Sequence, residues 1–164
     1  MAGEQELLAD WAPVCDRTRV AVRVVLLDAR SRVLLFEGRD LSDAGGAARW
    51  WFTAGGGVEP EETLLEAAQR ELVEETGLSA LHLVGPFHRR EFVFLNHGRP
   101  QPQLEWFFAA RTDDTTLSTH GWTALERRAM TAWRWWSACE LEAREIVYFP
   151  ENLPDLVSRA DDLV

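Results

Sequence analysis

Three consecutive glycines, Gly55, Gly56 and Gly57, run into a stretch rich in alanine, leucine and glutamate that ends at Gly77. This pattern predicts a helix over residues 61–76, entered from a side-chain-free turn and stopped by a glycine. At about 3.6 residues per turn, Glu71, Glu74 and Glu75 fall within an arc of roughly 100°, so their carboxylates can converge on one point. Leu65, Ala68 and Leu72 occupy the neighbouring face, which lets the helix press one side onto a sheet and present acids beside it. Crowded like charges are unfavourable unless protons or cations neutralise them, and hard oxygen ligands at this spacing suit Mg²⁺ or Mn²⁺. A backbone without side chains can approach a ligand closely and offer carbonyl oxygens to a metal. Arg70, adjacent to the cluster, can hold one carboxylate in a fixed orientation. Taken singly, a glutamate-rich helix is most often a solvated face and a glycine triplet a tight turn.

Around this segment the chain reads as a layered α/β domain with a mixed sheet. Thr18 to Leu27 and Val33 to Phe36 are apolar runs separated by the turn-like Asp28 to Arg32, which predicts a hairpin. Glu37 to Arg49, with Gly45, Gly46, Ala47 and Ala48 in a row, reads as a surface loop. Phe87 to Leu95 and Leu104 to Arg111 read as strands, parted by a turn region holding Asn96, Gly98, Pro100 and Pro102. Trp133 to Ser137 is a short strand, Ala138 to Arg144 one or two helical turns, and Leu153 to Ala160 a helix with Pro154 near its start.

Length and charge narrow the function. A chain of 164 residues fits one domain spanning 1–164. No apolar run approaches the roughly 18 residues of a membrane span. Met1 to Asp10 has neither a basic start nor an apolar stretch, so a secretion signal is not expected and the cytoplasm is the default. A net charge of −10 argues against gripping duplex nucleic acid by charge alone. An acidic protein acting on phosphates needs cations as a bridge. Cys15 and Cys139 fit neither a zinc site nor a disulfide framework and read as structural thiols. His82, His88, His97 and His120 share no metal-ligand spacing.

The segment from Gly56 to Leu78 matches the Nudix box, Gx5Ex7REUxEExGU with U aliphatic, without a gap. Gly56 opens it, Glu62 follows at the sixth position, then Arg70, Glu71 and Leu72, Glu74 and Glu75, and finally Gly77 and Leu78. The chain therefore resembles the Nudix hydrolases. The resemblance implies the Nudix fold, a mixed β-sheet sandwiched between α-helices. It also implies hydrolysis of a diphosphate bond in a nucleoside diphosphate linked to another moiety, such as a nucleoside triphosphate, a nucleotide sugar or a dinucleoside polyphosphate. By the same resemblance Glu71, Glu74 and Glu75 bind Mg²⁺ or Mn²⁺, Glu62 supports them, and the carbonyl of Gly55 completes a coordination shell. Water attacks phosphorus while the cations neutralise charge on the phosphate oxygens. Members of the family take the proton either on a box glutamate, here Glu71, or on a glutamate beyond the box. Glu126 is the first such candidate and Glu105 the second, against the plain role of a surface or paired acid. A homodimer is common in the family.

The family often has proline before its glycines and glycine before the first box glutamate, where this chain has Ala54 and Glu61. These departures touch loop geometry and substrate preference and remove no carboxylate. Trp51 or Phe52, in the aromatic run that starts at Trp50, is a candidate stacking surface for a nucleobase, with core packing as the competing role. Arg39 is a candidate phosphate or ribose contact, and Asn152 can read a base edge or cap the last helix. Trp133, Trp135 and Trp136 read as core and edge packing. The alternative function is a Nudix-fold domain that binds a nucleotide without cutting it; such domains usually lose box glutamates, and all are present here. An isomerase acting on an isoprenoid diphosphate would call for a cysteine and glutamate pair in the pocket, which Cys15 and Cys139 do not supply.

Overall fold

The computed structural model describes residues 18–39, 41, 45, 48–96 and 99–164. The readings of Met1 to Asp10, Cys15, Gly46, Ala47, His97 and Gly98 lie outside the described residues. Along the chain the elements are β1 (Arg19–Asp28), β2 (Val33–Arg39), β3 (Arg49–Phe52), β4 (Ala54–Gly57), α1 (Leu64–Thr76), β5 (Leu83–Asn96), β6 (Arg99–Thr112), α2 (Ala124–Ala129), β7 (Met130–Trp136), α3 (Ala138–Ala143), β8 (Tyr148–Phe149) and α4 (Leu153–Leu163).

The expected hairpin forms, and its turn is pinned by a buried acid. Asp28 accepts hydrogen bonds from the amides of Arg30 and Arg32, each at 2.9 Å, and from the Arg32 side chain at 2.7 Å. The two strands then part company, sharing only the pair Leu27 and Val33. β1 runs parallel to β6 from Arg19 to Asp28 and antiparallel to β4, while β2 pairs antiparallel with β3 and β7. Thr53 alone separates β3 from β4, so one extended run crosses from the β2 half of the sheet to the β1 half. The result is a single curled sheet of eight strands with a cleft where β1 and β2 diverge.

Both faces of the central strands are covered, which explains their near-continuous valine and leucine runs. On one face Val22, Val24, Leu26, Leu34 and Phe36 pack against Leu64, Ala67, Ala68 and Leu72 of α1. On the other, Val25, Leu27, Val33 and Leu35 meet Leu141 of α3 and Leu153, Leu156 and Val157 of α4. Each buried leucine of α4 stabilises the layer by about 2 kcal/mol relative to exposure. The mixed sheet between helices is as expected.

Several boundaries differ from expectation for local reasons. Helix α1 starts at Leu64 rather than Glu61, because Thr63 is its N-cap and forms a capping box with Glu66, while Glu61 has a φ of 65°. Its end is as predicted: Gly77 adopts a left-handed conformation and donates its N–H to the Val73 carbonyl. Pro100 and Pro102 belong to β6 instead of a turn. Pairing of β6 with β1 begins only at Gln103, so beyond it that edge of β6 needs no donor from a proline. β8 and α2 form outside the expected elements. Among the described residues no helix is long and apolar enough to cross a membrane.

Candidate active site

Helix α1 brings Glu71 and Glu75 to its buried side, one turn apart, and leaves Glu74 half exposed. Glu75 is 4% exposed and its carboxylate accepts the N–H of Gly55 at 2.7 Å. Burial pushes its pKa up to about 8; the Gly55 amide opposes that rise, and Glu71 and Glu126 add to it. Burial likewise raises Glu71, opposed by Arg70 and reinforced by Glu74 and Glu126. The Glu71 carboxylate fits because position 56 is glycine: a β-carbon there would lie 2.3 Å from its Oε1.

Arg70 organises the cluster. Its guanidinium donates to Glu71 at 2.8 Å, to the Gly57 carbonyl at 2.9 Å, and to both oxygens of Glu62 at 2.7 and 2.9 Å, with Glu74 at 3.4 Å. Glu62 thus meets the cluster through Arg70. Glu71 is tied to Arg70, Glu75 to Gly55 and Glu74 faces solvent, so the expected convergence of three carboxylates is a buried pair with an exposed third. Among the described residues no group of three or more histidine, cysteine or acidic side chains is drawn together tightly enough to hold a metal ion as it stands.

The charge of Glu126 acts on this cluster from outside the box. A segment strapped onto the end of α1 carries it: Ser118 donates its N–H to the Thr76 carbonyl, and the Trp122 indole donates to the Glu75 carbonyl, both at 2.8 Å. Gly121 packs against the Glu74 backbone so closely that a β-carbon would lie 2.4 Å from its carbonyl oxygen. The strap leads into α2, where Glu126 forms a capping box with Thr123 and adds its field to Glu71 and Glu75. Trp122 was not singled out from sequence, although the Thr123 to Glu126 capping signature was there to be read.

On the other side of β4 the cleft opens into a cavity of about 870 Å³. Arg19, Arg23, Arg39 and Arg90 line it together with Trp50, Phe52, Phe92 and Asn152. Cationic and aromatic walls thus stand next to a carboxylate-bearing helix, with a strand of glycines between them. The sequence model of the NUDIX domain matches residues 17–155.

The chain belongs to the NUDIX family.

It is accordingly a hydrolase of pyrophosphate bonds. The chain is 31% identical over 153 residues to an RNA pyrophosphohydrolase of Novosphingobium aromaticivorans, covering 85% of this chain and 82% of that one. In structure it is similar to the E. coli dihydroneopterin triphosphate pyrophosphohydrolase, with a TM-score of 0.64, 22% identity and coverage of 85% and 92%. It is also similar to the NUDIX domain of Shewanella oneidensis NrtR, complexed with ADP ribose, with a TM-score of 0.62, 17% identity and coverage of 98% and 97%.

Within this NUDIX domain the candidate contacts separate cleanly. Phe52, Arg39 and Asn152 line the cavity, and Asn152 stands at the start of α4 without a side-chain capping bond. Trp51 does not line it. Alternation along β3 turns its ring to the opposite face, edge-on to Trp136 at 5.0 Å, in the core with α4, while Trp50 takes the cavity side. Glu105 is fully buried and accepts from Arg23 at 2.8 Å, from Arg90 at 2.7 and 3.0 Å, and from Gln103 at 2.8 Å. Burial raises its pKa, but the two guanidiniums overcome that and hold it below the usual carboxylate range. A carboxylate so occupied is a fixed anion, and of the two outside-box candidates Glu126 is the one whose charge acts on Glu71 and Glu75. Trp135 and Trp136 are buried and Trp133 is 38% exposed. Cys139 is a free, exposed thiol.

Proposed function

We propose that this NUDIX enzyme hydrolyses a diphosphate bond in a nucleoside diphosphate linked to another moiety, using Mg²⁺ or Mn²⁺. The observation that carries the reading is the placement of the glycine strand β4 between the buried Glu71 and Glu75 on one side and the arginine-lined and aromatic-lined cavity on the other.

The donor set fits a divalent cation. Two carboxylates raised by burial and by neighbouring carboxylates gain from a positive charge, and Gly56 leaves room for one of them against the backbone. Glu71, Glu74 and Glu75 would hold it, with the carbonyl of Gly55 and with Glu62 acting through Arg70. When bound, such a cation neutralises phosphate oxygens and lowers the pKa of water for attack on phosphorus. Arg70 fixes the Glu71 carboxylate, and its bonds to Glu62 and the Gly57 carbonyl prevent that arm from swinging. Glu71 or Glu126 takes the proton from the attacking water. Trp50 and Phe52 supply faces for a base, Asn152 an amide for its edge, and Arg39 a donor for phosphate or ribose.

The named relatives are pyrophosphohydrolases of RNA and of dihydroneopterin triphosphate and a domain complexed with ADP ribose, and so they widen the panel to be tried. A phosphate-release screen across nucleoside triphosphates, nucleotide sugars, dinucleoside polyphosphates and a 5′-triphosphorylated oligonucleotide, with Mg²⁺ and Mn²⁺, tests the reading beside Glu74→Gln. Metal-dependent turnover of one class that collapses in the variant supports it. Tight metal-dependent binding without turnover of any class replaces it with the binding-domain alternative.

A further inference from the structure

We infer that Arg19 binds the non-bridging phosphate oxygens of the substrate, at the boundary where the cavity meets the glycine strand. The inference rests on the reading above that the diphosphate lies beside β4. Arg19 opens β1, two residues before the Ala21 that pairs with Gly57. Its guanidinium lies against that glycine, with Nη2 3.1 Å from where a β-carbon of residue 57 would stand. It lines the cavity as well, so the one side chain touches both the glycine strand and the cavity wall.

What distinguishes Arg19 is its partner. Arg23 and Arg90 share the carboxylate of Glu105, and Arg70 is held by Glu62 and Glu71. Among the described residues the side-chain partner of Arg19 is the neutral Gln103, whose Oε1 accepts from Nη1 at 2.6 Å. Gln103 in turn donates to Glu105 at 2.8 Å, so the buried acid orients Arg19 through an amide without cancelling its charge. Arg19 is an exposed residue whose guanidinium is partly withdrawn from water; aimed by one neutral bond and flanked by the like charge of Arg23, it is built to receive an anion. The side-chain-free β4 leaves the space in front of it open.

The test uses methylenediphosphonate, a diphosphate analogue that cannot be hydrolysed, titrated calorimetrically into the full chain with Mg²⁺. Arg19→Met is expected to weaken binding about 10- to 100-fold, the range set by one or two charge-assisted hydrogen bonds. Arg30→Met, in the exposed turn between β1 and β2 and away from the cavity, is expected to stay within about 3-fold. Should Arg19→Met fail to fold, Arg19→Lys carries the test, with an expected loss of about 3- to 10-fold. Wild type that does not bind the analogue, an Arg19 variant that binds as wild type does, or equal losses at Arg19 and Arg30 would each overturn the assignment. Because the analogue is never cut, Arg19-dependent binding together with a silent turnover screen would sink the hydrolytic reading and leave this one standing.

Discussion

Gly56 and Glu71 share one small volume: the carboxylate of Glu71 fills the space a side chain at position 56 would need, with its Oε1 2.3 Å from the missing β-carbon. Gly56→Ala must therefore displace either β4 or the carboxylate. Overpacking of this kind costs about 1–3 kcal/mol. Thermal unfolding is expected to register that loss, and kcat is expected to fall by far more than the stability change alone would give. An alanine variant with wild-type kcat would show that the Glu71 position is irrelevant.

Both carboxylate oxygens of Glu62 accept from Arg70, so in the proposed site Glu62 works through that arginine. Glu62→Gln keeps the shape and removes the charge that clamps the guanidinium, and losses for such supporting groups run about 10- to 100-fold. The expected signature is a lower kcat with KM changed little, measured on whichever substrate the screen returns. A pure KM effect would place Glu62 on the substrate instead.

Trp50 and Trp51 are neighbours in sequence with opposite expected phenotypes. Trp50→Ala is expected to raise KM through loss of a stacking face, contributing about 1–3 kcal/mol, with an unchanged melting temperature. Trp51→Ala removes a ring packed on Trp136 and is expected to cost about 3 kcal/mol of stability with little change in KM. Steady-state kinetics and thermal unfolding on both variants read this directly, and matching phenotypes would contradict the alternation of β3.

Glu105 makes stability depend on acid. Its folded pKa lies below the unfolded value, so the stability it contributes is fully present above about pH 4.3 and is lost as pH falls through the folded pKa. Glu105→Gln leaves Arg23 and Arg90 without their carboxylate and is expected to cost about 3 kcal/mol at pH 7. Denaturant melts from pH 7 to pH 3 should show the gap between variant and wild type closing as pH falls. A gap that widens would reverse the sign.

A divalent cation should stabilise the folded chain through Glu71 and Glu75. At about a hundredfold excess over its dissociation constant, Mg²⁺ is expected to add about 2.7 kcal/mol to wild type. In Glu75→Gln, the increment seen in paired melts with Mg²⁺ and with a chelator should be much smaller. An equal increment in both would place the cation elsewhere.

What sequence revealed depended on whether information was local. The Gly55 to Gly77 segment is contiguous, so the glutamate spacing, the terminating glycine and Arg70 could all be read from one turn-by-turn argument. The start of α1 was missed by three residues because glutamates 61 and 62 look helical by composition, while Thr63 decides the matter with one side-chain bond. The side on which Trp51 lies depends on its partners in β2 and β8, at Glu37 and Tyr148, which no local pattern encodes. Glu105 reads as an ordinary strand acid until β1 and β5 deliver Arg23 and Arg90 to it. Trp122 and Arg19 stayed silent for the same reason: each gains meaning only from a neighbour dozens of residues away.

The glycine strand also constrains how such an enzyme can diversify. Residues 55 to 57 offer no side chain to exchange, and any added carbon at 55 or 56 meets backbone or the Glu71 carboxylate. Inheritance can therefore leave the cutting half nearly frozen, while the opposite wall, drawn from β1, β2, β5 and the turn before α4, mutates piece by piece. One reaction can thus be passed among descendants that accept different leaving groups, each changing its wall without disturbing the blade.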